Sequence, residues 1–224
     1  MILLRQSAVV ARKDLRIELR GRYALGAVLP FAGTLLIAFG LSLGPGRTLL
    51  QQTAPGLLWL AVLFASVLSF RQAYQSESED GALEGLLLAP IDKASVFLGK
   101  AAAVALQLLV LEGAVLLLVA GLFDLSLGTR PGLLAAGFVL GTVGLAAVGS
   151  LFGALAESPR AREAVFPLLV LPLATPVLLA GVRATALATQ GGSGSIGGWL
   201  GLLVAFDLVL LSAGTLVFGH LLED

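Results

Sequence analysis

The chain has 224 residues, 58% of them hydrophobic and 12% charged, with a mean hydropathy of +0.99. A surface that apolar excludes a water-soluble domain, and 14 basic against 14 acidic side chains give a net charge of zero, so no nucleic-acid partner is expected. Without cysteine there are no disulfides, thiolate metal sites or CxxC haem attachment, and without asparagine there is no N-glycosylation sequon.

A helical span needs about 20 apolar residues, and irregular backbone cannot face lipid because its polar groups would lack partners. The expected fold is therefore all-α, a polytopic membrane protein forming one domain over residues 1–224. Residues 1–22 open it without a signal-peptide pattern, since the basic residues follow the short apolar start. Leu4, Ala8, Ala11, Leu15 and Leu19 recur at helical spacing beside Arg5, Arg12 and Arg16. That pattern describes either an amphipathic helix lying in the plane of the inner interface or a plain positive anchor.

Six spans follow, at residues 23–43, 54–70, 101–123, 133–155, 166–182 and 200–222. Lys and Arg near span ends are retained on the cytoplasmic side. Eleven basic residues fall on one side: Arg5, Arg12, Lys13, Arg16, Arg20, Arg22, Arg71, Lys93, Lys100, Arg160 and Arg162. Only Arg47, Arg130 and Arg183 fall on the other, so both termini and residues 76–93 are expected to be cytoplasmic. Two motifs are set aside. Gly192, Gly194 and Gly197 fit GxGxxG but precede a span, not a βαβ unit, and the ASVFLGKA of residues 94–101 lacks a phosphate loop's first glycine and its Ser/Thr. The chain itself binds no nucleotide, has no catalytic residues and has no metal site on this reading.

The segment SESEDGALEGLLLAPIDK, residues 76–93, is a short acidic amphipathic stretch between two apolar runs. Ser76 with Glu79 makes a capping-box pattern, Leu83, Leu86 and Leu87 share one face, and Pro90 stops the helix. Gly81 and Gly85 each cost about 1 kcal/mol against alanine, so a helix over residues 76–90 needs a partner surface. The alternative is a solvated loop whose leucines touch the membrane surface.

This region resembles the cytoplasmic loop of the membrane subunit of the haem exporter of cytochrome c maturation, the CcmB family. The resemblance rests on EDGALEGLLLAP, Asp92 and FLGK at residues 97–100, and it extends to RKDLRIELR at 12–20, APGLLWLAVLFAS at 54–66, ESPRARE at 157–163 and AFDL at 205–208. A shorter form of the loop pattern is shared with ABC-2-type export permeases generally. The resemblance implies a non-catalytic permease subunit in a bacterial inner membrane, with ATP and Mg handled by a separate ATPase and haem as a handled ligand. It also implies two ATPase copies, a second copy of this chain, a haem-handling membrane protein and a periplasmic haem chaperone. Glu79, Asp80, Gly81, Leu83, Glu84, Leu86 and Leu87 would form the ATPase-coupling surface. A general ABC-2 exporter of a lipid-linked sugar or drug, and an ATP-independent carrier or scaffold, are the competing classes.

Within the spans, Glu112 and Asp207 stand out, since a carboxylate at the bilayer centre costs about 2.5 to 3.5 kcal/mol on insertion scales. Their expected depths differ by about 6 Å, close enough for one polar pocket, whose purpose is either a substrate or proton site or protonated carboxyls hydrogen-bonded between helices. Gly137, Gly141, Gly149 and Gly153 repeat GxxxG, which reads as close approach of helix backbones. Pro167, Pro172 and Pro176 kink span five, and His220, the lone histidine, lies at the cytoplasmic end of span six.

Overall fold

In a computed structural model of the chain, the described residues are 2–21, 24–79, 92–125, 127, 130–155, 159–191 and 194–220. Among them the regular structure is entirely helical: α1 (Ile2–Gly21), a π-helical turn (Ala24–Val28) running into α2 (Leu29–Leu43), α3 (Arg47–Glu79), α4 (Lys93–Phe123), α5 (Pro131–Leu155), α6 (Pro159–Thr189) and α7 (Ile196–His220). Six of these are long and apolar enough to cross a membrane, over Gly26–Leu43, Arg47–Phe70, Lys93–Phe123, Pro131–Leu151, Val170–Thr189 and Ile196–Phe218. The protein is a polytopic membrane protein. The helices α3 to α7 form the bundle, with α5 touching α3, α4, α6 and α7; α2 leans on α3 and α4, and α1 packs along α4.

Four helices, α3, α4, α6 and α7, start earlier or run further than charge and proline imply. The second span is part of a 33-residue helix that starts at Arg47 and passes through Pro55. Proline removes the N–H that would bond the carbonyl four residues back, here that of Gln51. The side chain of Gln190, at the end of α6, donates to that carbonyl at 2.6 Å, so the vacancy is filled from another helix. The same helix continues to Glu79 because nothing between Phe70 and Glu79 is glycine or proline. Ser76 therefore stands in its last turn, which corrects the expected N-cap and the start of a separate helix at residue 76. Asp80 to Ile91, which include the rest of the expected coupling helix, lie outside the described residues.

The fifth span also runs further: α6 covers Pro159–Thr189, the whole of the expected 166–182, and includes the exposed Arg183. An arginine six residues from a helix end need not stop a span, because a long aliphatic stem lets such a charge reach toward the interface. The sixth span begins at Ile196, four residues early, and residues 221–222 fall outside the described set. The stretch 94–101 is helical, opened by Asp92, whose carboxylate accepts the Ala94 N–H at 2.9 Å, and Gly194 lies between two helices with no strand beside it.

The bundle is fastened by aromatic side chains entering glycine positions. Trp59, fully buried on α3, lies where a Cβ on Gly141 of α5 would overlap its ring and where one on Gly181 of α6 would come within 2.5 Å. Its ring stacks on Phe138 with centroids 5.8 Å apart, and its Nε1–H donates to Thr185 Oγ1 at 2.9 Å. Phe70 fills the space over Gly149, and Phe97 fills that over Gly214. The GxxxG pattern of α5 is thus used differently from the expectation. At Gly141 and Gly149 the missing Cβ admits an aromatic ring, not a neighbouring backbone; a Cβ on Gly137 would stand 3.4 Å from Ala184 Cβ, an ordinary contact, and Gly153 is outside the described side chains.

Replacing Gly141 by alanine forces the Trp59 ring out of its slot, so the Gly141→Ala protein should lose about 1–3 kcal/mol. Thermal unfolding in detergent reads this loss, and Trp59→Leu combined with Gly141→Ala should lose less than the two single changes added.

Candidate functional site

The structure places the two intramembrane carboxylates at nearby levels but on opposite sides of α5, Glu112 at Thr142 and Asp207 at Gly144. Glu112 is eleven residues from the Phe123 end of α4, and Asp207 is eleven residues from the Ile196 end of α7. Those two ends lie at the same end of the bundle, about 16 Å away along each helix. Their contact positions on α5, Thr142 and Gly144, are two residues apart, about 3 Å along the helix, against the expected offset of about 6 Å.

Glu112 is 2% exposed, and its Oε2 accepts from Thr142 Oγ1 at 2.5 Å, while Oε1 has no partner among the described residues. Thr142 also donates toward the Phe138 carbonyl at 2.7 Å, so one hydroxyl serves two acceptors. Asp207 is 5% exposed and packs against the bare backbone of Gly144, where a Cβ would stand 2.8 Å from its Oδ1, beside Val177. Neither carboxylate oxygen of Asp207 has a hydrogen-bond partner among the described residues. Thr142 and Gly144 are two residues apart and so project about 160° apart around α5. Glu112 and Asp207 therefore occupy separate niches, one at the α4–α5 seam and one among α5, α6 and α7, and the shared pocket expected from their depths is not formed.

A polar cluster closes the bundle at the end nearest Gln51. Asp124 caps α4 in the left-handed conformation at φ 52°, which aspartate tolerates better than most residues. Its carbonyl and carboxylate accept from Gln51 Nε2 at 3.0 and 3.4 Å, and Arg47 pairs with the carboxylate at 3.0 Å. Gln51 and Asp124, with Thr48, Gln52, Leu125, Thr189 and Gln190, line a recess of about 500 Å³. Nothing in the hydropathy pattern marked this cluster; Pro55 was its one signal, since a mid-helix proline needs a donor for Gln51.

At the opposite end, α1 is bound to the first turns of α4. Gly99 allows the contact, because a Cβ there would stand 2.7 Å from both the Ser7 carbonyl oxygen and Val10 Cβ. Ser95 Oγ donates to Gln6 Oε1 at 3.1 Å, and Lys100 Nζ lies 3.9 Å from Asp14 Oδ2. The buried face of α1 is Ser7, Val10 and Ala11; Leu4 and Ala8 of the expected apolar stripe remain exposed, as do Arg5, Arg12 and Arg16. Of the expected coupling residues, Glu79 ends α3, and Asp80, Gly81, Leu83, Glu84, Leu86 and Leu87 lie outside the described residues. No group of three or more His, Cys, Asp or Glu side chains is arranged to hold a metal among the described residues.

Comparison with known proteins finds a family and relatives that match nearly the whole length. The family model described as CcmB protein matches residues 5–223. The chain is 34% identical over 209 residues to heme exporter protein B of Pseudomonas aeruginosa, covering 91% of each chain. It is 32% identical over 213 residues to heme exporter protein B of Bradyrhizobium diazoefficiens, covering 92% of each, and 30% identical over 199 residues to that of Haemophilus influenzae, covering 88% of this chain and 87% of the other. A match of this extent, on a helical membrane bundle with six candidate spans, establishes that the chain belongs to the CcmB family.

Proposed function

We propose that this chain is the membrane permease subunit of an ATP-driven export system of bacterial cytochrome c maturation, itself non-catalytic, with ATP hydrolysed by a separate subunit. The carrying observation is the family match over residues 5–223, joined by relatives whose printed name is heme exporter protein B. In this reading the chain sits in the inner membrane with both termini cytoplasmic. Haem is the handled ligand, and a second copy of the chain, two ATPase subunits, a haem-handling membrane protein and a periplasmic haem chaperone are its partners.

The lengths of α3 and α4 support a cytoplasmic coupling element. At 33 and 31 residues they are about 50 and 46 Å long, well beyond a hydrocarbon core of about 30 Å. Their surplus turns face each other in sequence across residues 80–92, at the end where α1 packs. A segment there is held by two rigid helices, one of which runs directly into the bundle core. Leu83, Leu86 and Leu87 supply apolar anchors, each giving about 1.5–3 kcal/mol gross if fully buried on a partner, before ordering costs. Asp80 and Glu84 set register against a basic groove.

The single substitution Leu86→Asp should leave membrane insertion intact and abolish co-purification with the ATPase. Unchanged co-purification together with unchanged ATP hydrolysis would reject the coupling role. For haem, mild-detergent purification of the tagged complex with its chaperone should show a haem absorption band; its absence from every active preparation would leave a different cargo.

Glu112, separated from Asp207 by α5, acts in this reading as a structural group of the bundle through its bond to Thr142. Glu112→Gln preserves an acceptor for Thr142, so chaperone release should stay within about twofold of the parent, whereas Thr142→Val strands a buried carboxyl and should cost about 1–3 kcal/mol in detergent melting. Loss of release in Glu112→Gln with unaltered melting would instead make Glu112 a substrate or proton site.

A further inference from the structure

The outward face of α1 carries a groove of about 490 Å³ lined by Val9, Arg12, Lys13, Arg16 and Ile17. Lys13 is engaged by Asp14 at 3.0 Å. Arg12 and Arg16 are exposed and have no acidic partner among the described residues. Two like charges four residues apart on a helix repel, and an anion between them removes the repulsion. A guanidinium fork matches a phosphate in geometry as well as charge. The walls of the groove are apolar: Val9 is 64% exposed and Ile17 52% exposed, beside the positive charge. A free phosphate or a nucleotide has no use for such walls, whereas a molecule with an anionic head and hydrocarbon tails fits both.

The level of α1 relative to the bilayer points the same way. Its inner face is fixed to Ser95 and Gly99, in the first turns of a helix about 46 Å long that exceeds the hydrocarbon core by several turns. The charged neighbours at this end, Asp14, Lys93 and Lys100, belong outside hydrocarbon, so α1 lies where lipid headgroups lie. We infer that the groove on α1 is a binding site for an anionic phospholipid, its phosphate held between Arg12 and Arg16 and its acyl region laid along Val9 and Ile17. The site rests on the reading of α1 as a helix at the cytoplasmic face, where anionic lipid is presented.

The test is titration of the purified full-length chain, alone and with its ATPase, with phosphatidylglycerol and phosphatidylcholine, bound lipid being counted by native mass spectrometry. The parent protein should prefer phosphatidylglycerol, and Arg12→Gln with Arg16→Gln should weaken its binding on the order of twentyfold, about fivefold per arginine. Arg5→Gln, which changes an exposed arginine outside the groove, should keep the preference, and melting should confirm that all variants fold. Equal binding of phosphatidylglycerol by the double variant would overturn the site. Displacement of the lipid by millimolar inorganic phosphate would make it a free-anion site, and loss of ATPase co-purification with lipid binding unchanged would make it a protein contact; either result overturns the proposal. The side on which α1 lies is read separately. The chain has no cysteine, so Arg5→Cys should react with an impermeant maleimide in inverted vesicles only. Reaction in right-side-out vesicles would overturn the topology while the lipid titration still decided the site.

Discussion

One indole ring holds the bundle in register. Apolar burial gives no preference between a neighbouring helix and lipid inside a membrane, so helix order has to come from shape and from hydrogen bonds. Trp59 supplies both in one side chain: its ring enters slots left by Gly141 and Gly181, and its N–H finds Thr185. These contacts tie α3 to α5 and α6 at once. Phe70 over Gly149 repeats the arrangement further along the same two helices, and Phe97 over Gly214 ties α4 to α7. A ring in a glycine slot fixes both rotation and height of a helix, which a run of leucines does not.

Hydropathy located all six spans because each carries its own apolar run, and the family resemblance was visible in contiguous words of sequence. What it could not show was long-range. Trp59 and Thr185 are 126 residues apart, so an ordinary span tryptophan and a fastening one look alike. The glycines of α5 were seen as permissive, but not what they permit, since an aromatic ring and a helix backbone need the same missing Cβ. That α3 starts before Pro55 could not be seen either, because the carbonyl left open by the proline is met by a glutamine 139 residues away. Glu112 and Asp207 were correctly singled out as buried, yet depth along two helices says nothing about which side of a third helix each one faces.

Polar groups inside this bundle are treated in two ways. At the Gln51 end they form a connected set, in which Gln190 repairs the proline gap, Gln51 turns to Asp124 and Arg47 balances the charge. Deeper in, Thr142 serves Glu112 on one side, and Asp207 lies against bare glycine backbone with its oxygens unmet among the described residues. The connected set links α3, α4 and α6 at one exposed mouth of the bundle, while the isolated carboxyls leave hydrogen-bonding capacity in its middle.

The seam at Gly99 has a mechanical meaning. The segment between α3 and α4 re-enters regular structure at Asp92, whose N–H is 3.4 Å from Gln6 Oε1, and one turn later Ser95 touches the same oxygen. With backbone and side chain at Gly99 too close to slide, the start of α4 and the length of α1 form one stiff body. A displacement at Asp92 would therefore be carried by both helices, along the 20 residues of α1 as well as the 31 of α4.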